Sequence, residues 1–168
     1  MEITSPAFRN GERVPKKYTC EGPNVSPPLE FSGVPADAGS LVLIVEDPDA
    51  PAKPWVHWLV FNIPAGATGF GENCTAPGST QGLCNGNTFG YEGPCPPERE
   101  HQYLFRLYAL DIRLDIPDAS DRKAVLRAMQ GHVLAEAVLT GTYPKAIRTE
   151  PLAARQEASR QARPVAGN

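Results

Sequence analysis

Two aspartates, two histidines and a tyrosine carry the chemistry this sequence can offer. Asp47 and Asp49 lie in the acidic, proline-punctuated turn DPDAP, and His57 follows in WVHWLVFNIPA. His101 and Tyr103 open the run HQYLFRLYALD, directly after a second proline-rich stretch, GYEGPCPPERE. Carboxylates and imidazoles brought together can exchange protons as general acid and base, ligate a metal such as zinc, or hold an anion while the carboxylates orient the rings. Plainer uses exist for each: an aspartate in a proline turn bonds its own backbone, and an isolated histidine commonly packs into a core. Ser26 is followed by Pro27 and Pro28 and reads as a turn residue, and no GxSxG or other activated nucleophile accompanies the histidines.

The elements that must position these residues are strands. Leu41 to Val45 is a continuous apolar run bounded by turn residues, which predicts a strand buried on both faces, and Val56 to Ile63 has the same character. Pro48, Pro51 and Pro54 lack an N–H and fix φ, so the segment between the two runs is a rigid loop. Asp47, Asp49 and His57 are thereby gathered at one end of a sheet. From His101 the period-two rule places His101, Tyr103, Phe105, Leu107 and Ala109 on one face, repeating the pattern of proline loop, histidine and strand.

The remaining elements are less regular. Residues 3 to 31 suggest edge strands and turns, and Gly66 to Glu100 is mostly loop, a length that points to function or specific anchoring. Ser120 to Gln130 predicts a short helix capped by Asp118 or Ser120 and stopped by Gly131, and Val133 to Thr142 a strand. His132, at that junction, reads as a partner of the helix C-terminus.

The 168 residues, with 41% hydrophobic and 21% charged content, describe one domain with a proper core, and 15 glycines with 18 prolines favour short strands joined by many turns. The fold class is mainly β. A formal net charge of −3 argues against nucleic acid or an anionic membrane surface as partner, so any anion must be bound locally. No apolar stretch has the length of a signal or a membrane span, so a cytoplasmic location without integral membrane association is expected. The four cysteines (Cys20, Cys74, Cys84, Cys95) lack CxxC spacing; Cys74 and Cys84 flank a glycine-rich loop they could clip, but in a reducing compartment four free thiols are expected. Residues 145–168 carry a net charge of +3 with few large apolar side chains, and are expected to form a flexible basic tail, with a frayed helix at Leu152 to Arg163, beyond a domain spanning 1–144.

The motifs SPAF, YTCEG, SPPLEF, LVLIVEDPDAP, WVHWLVFNIPA, GYEGPCPP, HQYLFRLYALD and GHVLAEAVLTGTY, in this order, resemble the bacterial and archaeal branch of the phosphatidylethanolamine-binding protein family, also called Raf kinase inhibitor-like proteins. The resemblance covers roughly residues 3 to 144. It implies an antiparallel β-sandwich with a short helix near the C-terminus and a small anion pocket lined by Asp47, Asp49, His57, Gly93, Pro97, His101 and Tyr103. It further implies a non-catalytic binding or regulatory role with no cofactor. The partners would be a phosphoethanolamine head group, another phosphate-like anion, or a phosphorylated residue of a protein, as in kinase or protease inhibition. In such a pocket His57 and His101 are expected to donate to the anion with Tyr103 assisting. Hydrolysis by Asp and His acid–base chemistry is the competing reading. One departure stands out: the family usually has an arginine after the second histidine, whereas this chain has Gln102, so a carboxylate that arginine would pair must find another partner, for which Arg99 is close in sequence.

Overall fold

The structure, a computed structural model, describes residues 1–52 and 54–147. In chain order it contains strand β1 (Glu2–Thr4), a single 3₁₀ turn (Lys16–Tyr18), β2 (Leu29–Ser32), β3 (Ser40–Asp47), β4 (Trp55–Pro64), β5 (Gly69–Phe70), β6 (Thr80–Gln81), β7 (His101–Leu110), helix α1 (Arg122–Met129) and β8 (Val133–Tyr143). The strands form a three-stranded sheet, β1-β2-β5, and a five-stranded sheet, β6-β4-β3-β7-β8, with every pair antiparallel. The expected mainly β, two-sheet architecture with one short helix is thus present.

The apolar run at 41–45 is continuous because β3 is covered on both sides. Leu41, Leu43 and Val45 face a core shared with Phe31 and Phe70 of the small sheet, whereas Val42 and Ile44 face a second core closed by Val125 and Met129 of α1. In β7 the predicted alternation holds: Tyr103, Phe105, Leu107 and Ala109 join the core between the sheets. Glu46 points to the helix side, where its buried carboxylate accepts from Arg106 at 2.9 Å and Arg122 at 2.8 Å. Asp47, one residue later, points to the opposite side of the sheet by strand alternation.

Two irregularities shape β4. Leu41 pairs with Ile63 and Leu43 with Val60, so the strand carries an extra residue there; Asn62 in this stretch has φ +54° and exchanges two hydrogen bonds with the Leu114 backbone. Near the other end Val45 pairs with Trp58 but Glu46 with Val56, which leaves His57 as the extra residue of a β-bulge. A bulge re-aims the side chain it displaces.

Two expectations are corrected. The helix starts at Arg122 with Asp121 as its cap, accepting from the Ala124 N–H at 2.9 Å, rather than being capped by Asp118 or Ser120. Cys20 and Cys95 form a disulfide across a sequence separation of 75, while Cys74 and Cys84 are free. Closing a loop of that size is commonly worth about 2–4 kcal/mol. Just past Pro144, Ala146 is buried, and its N–H donates to the Pro96 carbonyl at 2.9 Å. The frayed helix expected at 152–163 lies outside the described residues. Among those residues no helix is long and apolar enough to cross a membrane.

The melting temperature should respond to the Ala146 contact, since Ala146 is buried and bonded while Ile147 beside it is 74% exposed. Truncation after Pro144, which removes the Ala146 contact, should lower it by roughly 2–4 °C, the shift that about 1 kcal/mol produces in a chain of this size. Thermal denaturation of the truncated protein beside the full chain checks this, and an unchanged melting temperature would contradict it.

Candidate functional site

Asp47 ends the central strand and its carboxylate is fully engaged. Oδ1 accepts from the N–H groups of Asp49 at 2.8 Å and Ala50 at 3.0 Å, which is the self-bonding of an aspartate in a tight turn. Oδ2 accepts from Nδ1 of His101 at 2.7 Å, across from β7. Both uses foreseen for this residue are therefore present in one side chain: it folds the DPDAP turn with one oxygen and orients an imidazole with the other.

His57, displaced by its bulge, is held by Glu92. The Glu92 N–H donates to the His57 carbonyl at 2.8 Å, and Nδ1 of the ring donates to the Glu92 carbonyl at 2.7 Å. The ring is 7% exposed, and burial holds its pKa below the ordinary 6.5, against the opposing pull of the Glu92 hydrogen bond and the Asp47 charge; the charge of His101 lowers it further. The Tyr103 ring stands edge-on to His57, centroids 5.2 Å apart. Burial, reinforced by the charge of Asp47, pushes the Tyr103 hydroxyl well above its usual pKa.

Tyr103 Oη is, among the described residues, the one fully buried side-chain nitrogen or oxygen without a hydrogen bond. The Nε2 atoms of His57 and His101 make no hydrogen bond among those residues either, so both must retain contact with solvent. Each imidazole is thus oriented through Nδ1 and keeps Nε2 unbonded among the described residues, with Tyr103 edge-on to His57.

Asp49 is held from two sides. Its Oδ2 accepts from the Gln102 N–H at 2.9 Å, the strongest influence holding its pKa below the normal carboxylate value, and Oδ1 lies 3.4 Å from Arg99 Nη2. The missing arginine at position 102 is therefore replaced in two parts, by a backbone N–H and by Arg99 from the preceding loop.

The loop that supplies Glu92 rests on residues 16–24. The Gly93 N–H donates to Asn24 Oδ1 at 2.8 Å, Tyr91 Oη to the Tyr18 carbonyl at 2.8 Å, and the Cys20 N–H to the Pro94 carbonyl at 3.1 Å; the Cys20–Cys95 bond lies in the same seam. A Cβ on Gly93 would collide with the Tyr18 carbonyl and the Thr19 backbone, so glycine there serves the contact between loop and turn. Pro97 is exposed on the loop ahead of β7. Sequence reasoning missed Glu92, Asn24, Tyr18 and Tyr91. The cysteines inside YTCEG and GYEGPCPP were the available signal that these two segments meet.

Among the described residues no group of three or more His, Cys, Asp or Glu is arranged to hold a metal ion. Cys84 is buried, with its thiol pushed up to about 11 chiefly by burial, and so is a poor nucleophile.

The chain is a two-sheet antiparallel sandwich with a histidine near the end of each of two strands. Residues 4–144 match the family model described as phosphatidylethanolamine-binding protein, and the chain belongs to that family. A UPF0098 protein of Methanothermobacter thermautotrophicus is 51% identical over 148 residues, covering 85% of this chain and 98% of the relative. A UPF0098 protein of Chlamydia trachomatis is 45% identical over 150 residues, covering 86% and 99%. Among solved structures, the phosphatidylethanolamine-binding protein homologue CT736 of Chlamydia trachomatis superposes with a TM-score of 0.82 at 44% identity, covering 86% of this chain and 97% of that one. YbcL of E. coli, described as a member of the mammalian family, gives 0.80 at 31% identity, covering 87% and 98%.

The lowered pKa of His57 sets a pH signature. Below about 6.5 the unfolded chain protonates this imidazole while the folded chain resists, so the unfolded state binds more protons and stability falls as pH drops from 7.5 to 5.5. In His57→Gln that contribution is absent. Melting temperatures of both proteins across this range should show a smaller acid-side decline in the variant; parallel curves would contradict the assignment.

Proposed function

We propose that the protein is a non-catalytic binding protein whose ligand is a small phosphate-like anion, held between His57 and His101 with Asp49 and Arg99 at the rim. The observation that carries this reading is the pair of imidazoles, each fixed through Nδ1 by a dedicated acceptor and each left with a solvent-reaching Nε2. His101, braced by Asp47, is the donor: when it carries two protons, Nε2–H offers a charge-assisted hydrogen bond to a phosphate oxygen. Asp47 acts by orienting this ring, as a carboxylate behind a ligating histidine does. Arg99, with its side chain 62% exposed and only loosely engaged with Asp49, supplies positive charge that can turn towards the ligand. Gly93 positions the loop, Pro97 borders it, and Tyr103 forms the floor beneath His57.

The chemistry recognised is a terminal phosphate, whether on an ethanolamine head group or on a phosphorylated side chain of a protein partner. Regulation of a kinase or protease through such a captured group would use the same site. Membership of the phosphatidylethanolamine-binding protein family and the likeness to CT736 and YbcL support this reading. One observation favours hydrolysis instead: His101 backed by Asp47 has the arrangement of a carboxylate-oriented general base. Against it stand the absence of an activated nucleophile in the named set and the inert thiol of Cys84.

Calorimetric titration of inorganic phosphate and phosphoethanolamine at pH 6 should show binding to the wild type and a loss of about tenfold or more in His101→Ala, the effect of removing one charge-assisted hydrogen bond. The same preparations should show no turnover on phosphomonoester or carboxylester panels. No heat of binding in the wild type would overturn the anion reading, and a hydrolysis rate abolished by His101→Ala would replace it with the enzymatic one.

A further inference from the structure

The hydrogen positions on His57 follow from its partners. Its Nδ1 faces the Glu92 main-chain carbonyl at 2.7 Å, and a carbonyl oxygen can only accept, so Nδ1 carries the hydrogen. The return bond from the Glu92 N–H to the His57 carbonyl pins the same segment against the bulge, so the ring and its acceptor are held as a unit. A second proton is disfavoured by burial. The groups around the ring are Asp47 from β3, His101 and Tyr103 from β7, and the Glu92 backbone; the Glu92 carboxylate is turned away to accept from Thr88 at 3.0 Å. Nε2 of His57 is therefore a bare acceptor, open to a ligand. At His57 the expectation that both histidines donate to the anion gives way to a free nitrogen that takes a hydrogen bond.

An oxyanion entering this site must bring a hydrogen of its own. Inorganic phosphate keeps a P–OH at neutral pH, and a phosphomonoester keeps one below its second pKa near about 6. Sulfate has none at either pH. We propose that His57 is the specificity-determining residue of this site: its Nε2 accepts from the P–OH of a monoprotonated phosphate group, so that the site selects phosphates bearing a proton over fully deprotonated oxyanions such as sulfate. The proposal rests on the anion reading given above. An ion without a hydrogen sets its lone pairs against that of Nε2, or forces a second proton onto a buried imidazole, and either leaves a buried acceptor unmatched.

The test compares inorganic phosphate with sodium sulfate at pH 7.5 by calorimetry on the full chain. Phosphate should bind at least about tenfold more tightly, the factor attached to one hydrogen bond involving a charged group. In His57→Gln, whose side-chain amide can donate, the ratio should fall towards one. Nitrogen-15 NMR of the wild-type imidazoles, which needs neither ligand nor variant, should show His57 protonated at Nδ1 and bare at Nε2. Equal affinity for the two ions in the wild type, or a proton on Nε2, would overturn the proposal while leaving the anion reading intact. Binding of neither ion would overturn both.

Discussion

The site depends on what happens to one carboxylate at the end of the central strand. Asp47 is 3% exposed, and a carboxylate withdrawn from water must have its oxygens satisfied within the protein. Two N–H groups of its own turn and the His101 ring do so. Each partner has a structural consequence. The turn bonds bend the chain sharply after β3, placing Asp49 beside Gln102 and Arg99. The His101 bond fixes the first imidazole of β7 relative to β3. Because β3 is paired to both β4 and β7, it also sets the spacing between the two histidines.

The second imidazole is fixed by a different device. His57 is the extra residue of a β-bulge, and its ring is anchored by a backbone carbonyl from a long loop rather than by a neighbouring strand. On its far side that loop is anchored by residues 16–24, where Asn24, Tyr18 and the Cys20–Cys95 bond hold it. The remote N-terminal segment, which carries no chemistry itself, thereby determines which nitrogen of His57 is free. Acidic residues in an anion site are less paradoxical in this arrangement. Asp47 is consumed in orienting His101, and Asp49 is matched by the Gln102 N–H and Arg99.

Much of the fold was legible because burial leaves a pattern in side-chain type. The unbroken apolar run at 41–45 announced a strand covered on both faces, and alternation from His101 assigned the inward residues of β7 correctly. The helix was found but its cap was not, since Asp118, Ser120 and Asp121 are all capable N-caps and only tertiary packing selects among them. The bulge at His57 left no trace, because WVHWLVF reads the same with or without an extra residue opposite β3. Glu92 was equally silent: the group that holds His57 is a main-chain carbonyl, which any residue could supply. The disulfide was missed because the cysteines were judged by expected compartment, whereas their pairing follows from two loops meeting in space. Arg99 was legible as a candidate cation because the departure at Gln102 leaves some carboxylate in need of one, but that this carboxylate is Asp49 comes from the structure alone.

The account places an anion between two imidazoles that are each oriented through Nδ1, and a crystal structure grown or soaked with inorganic phosphate examines that directly. The account predicts phosphate oxygens within hydrogen-bond distance of Nε2 of both His57 and His101, with Nδ1 of His57 still on the Glu92 carbonyl and Nδ1 of His101 still on Asp47. Density for phosphate elsewhere, with water alone between the two rings at saturating concentration, would contradict it.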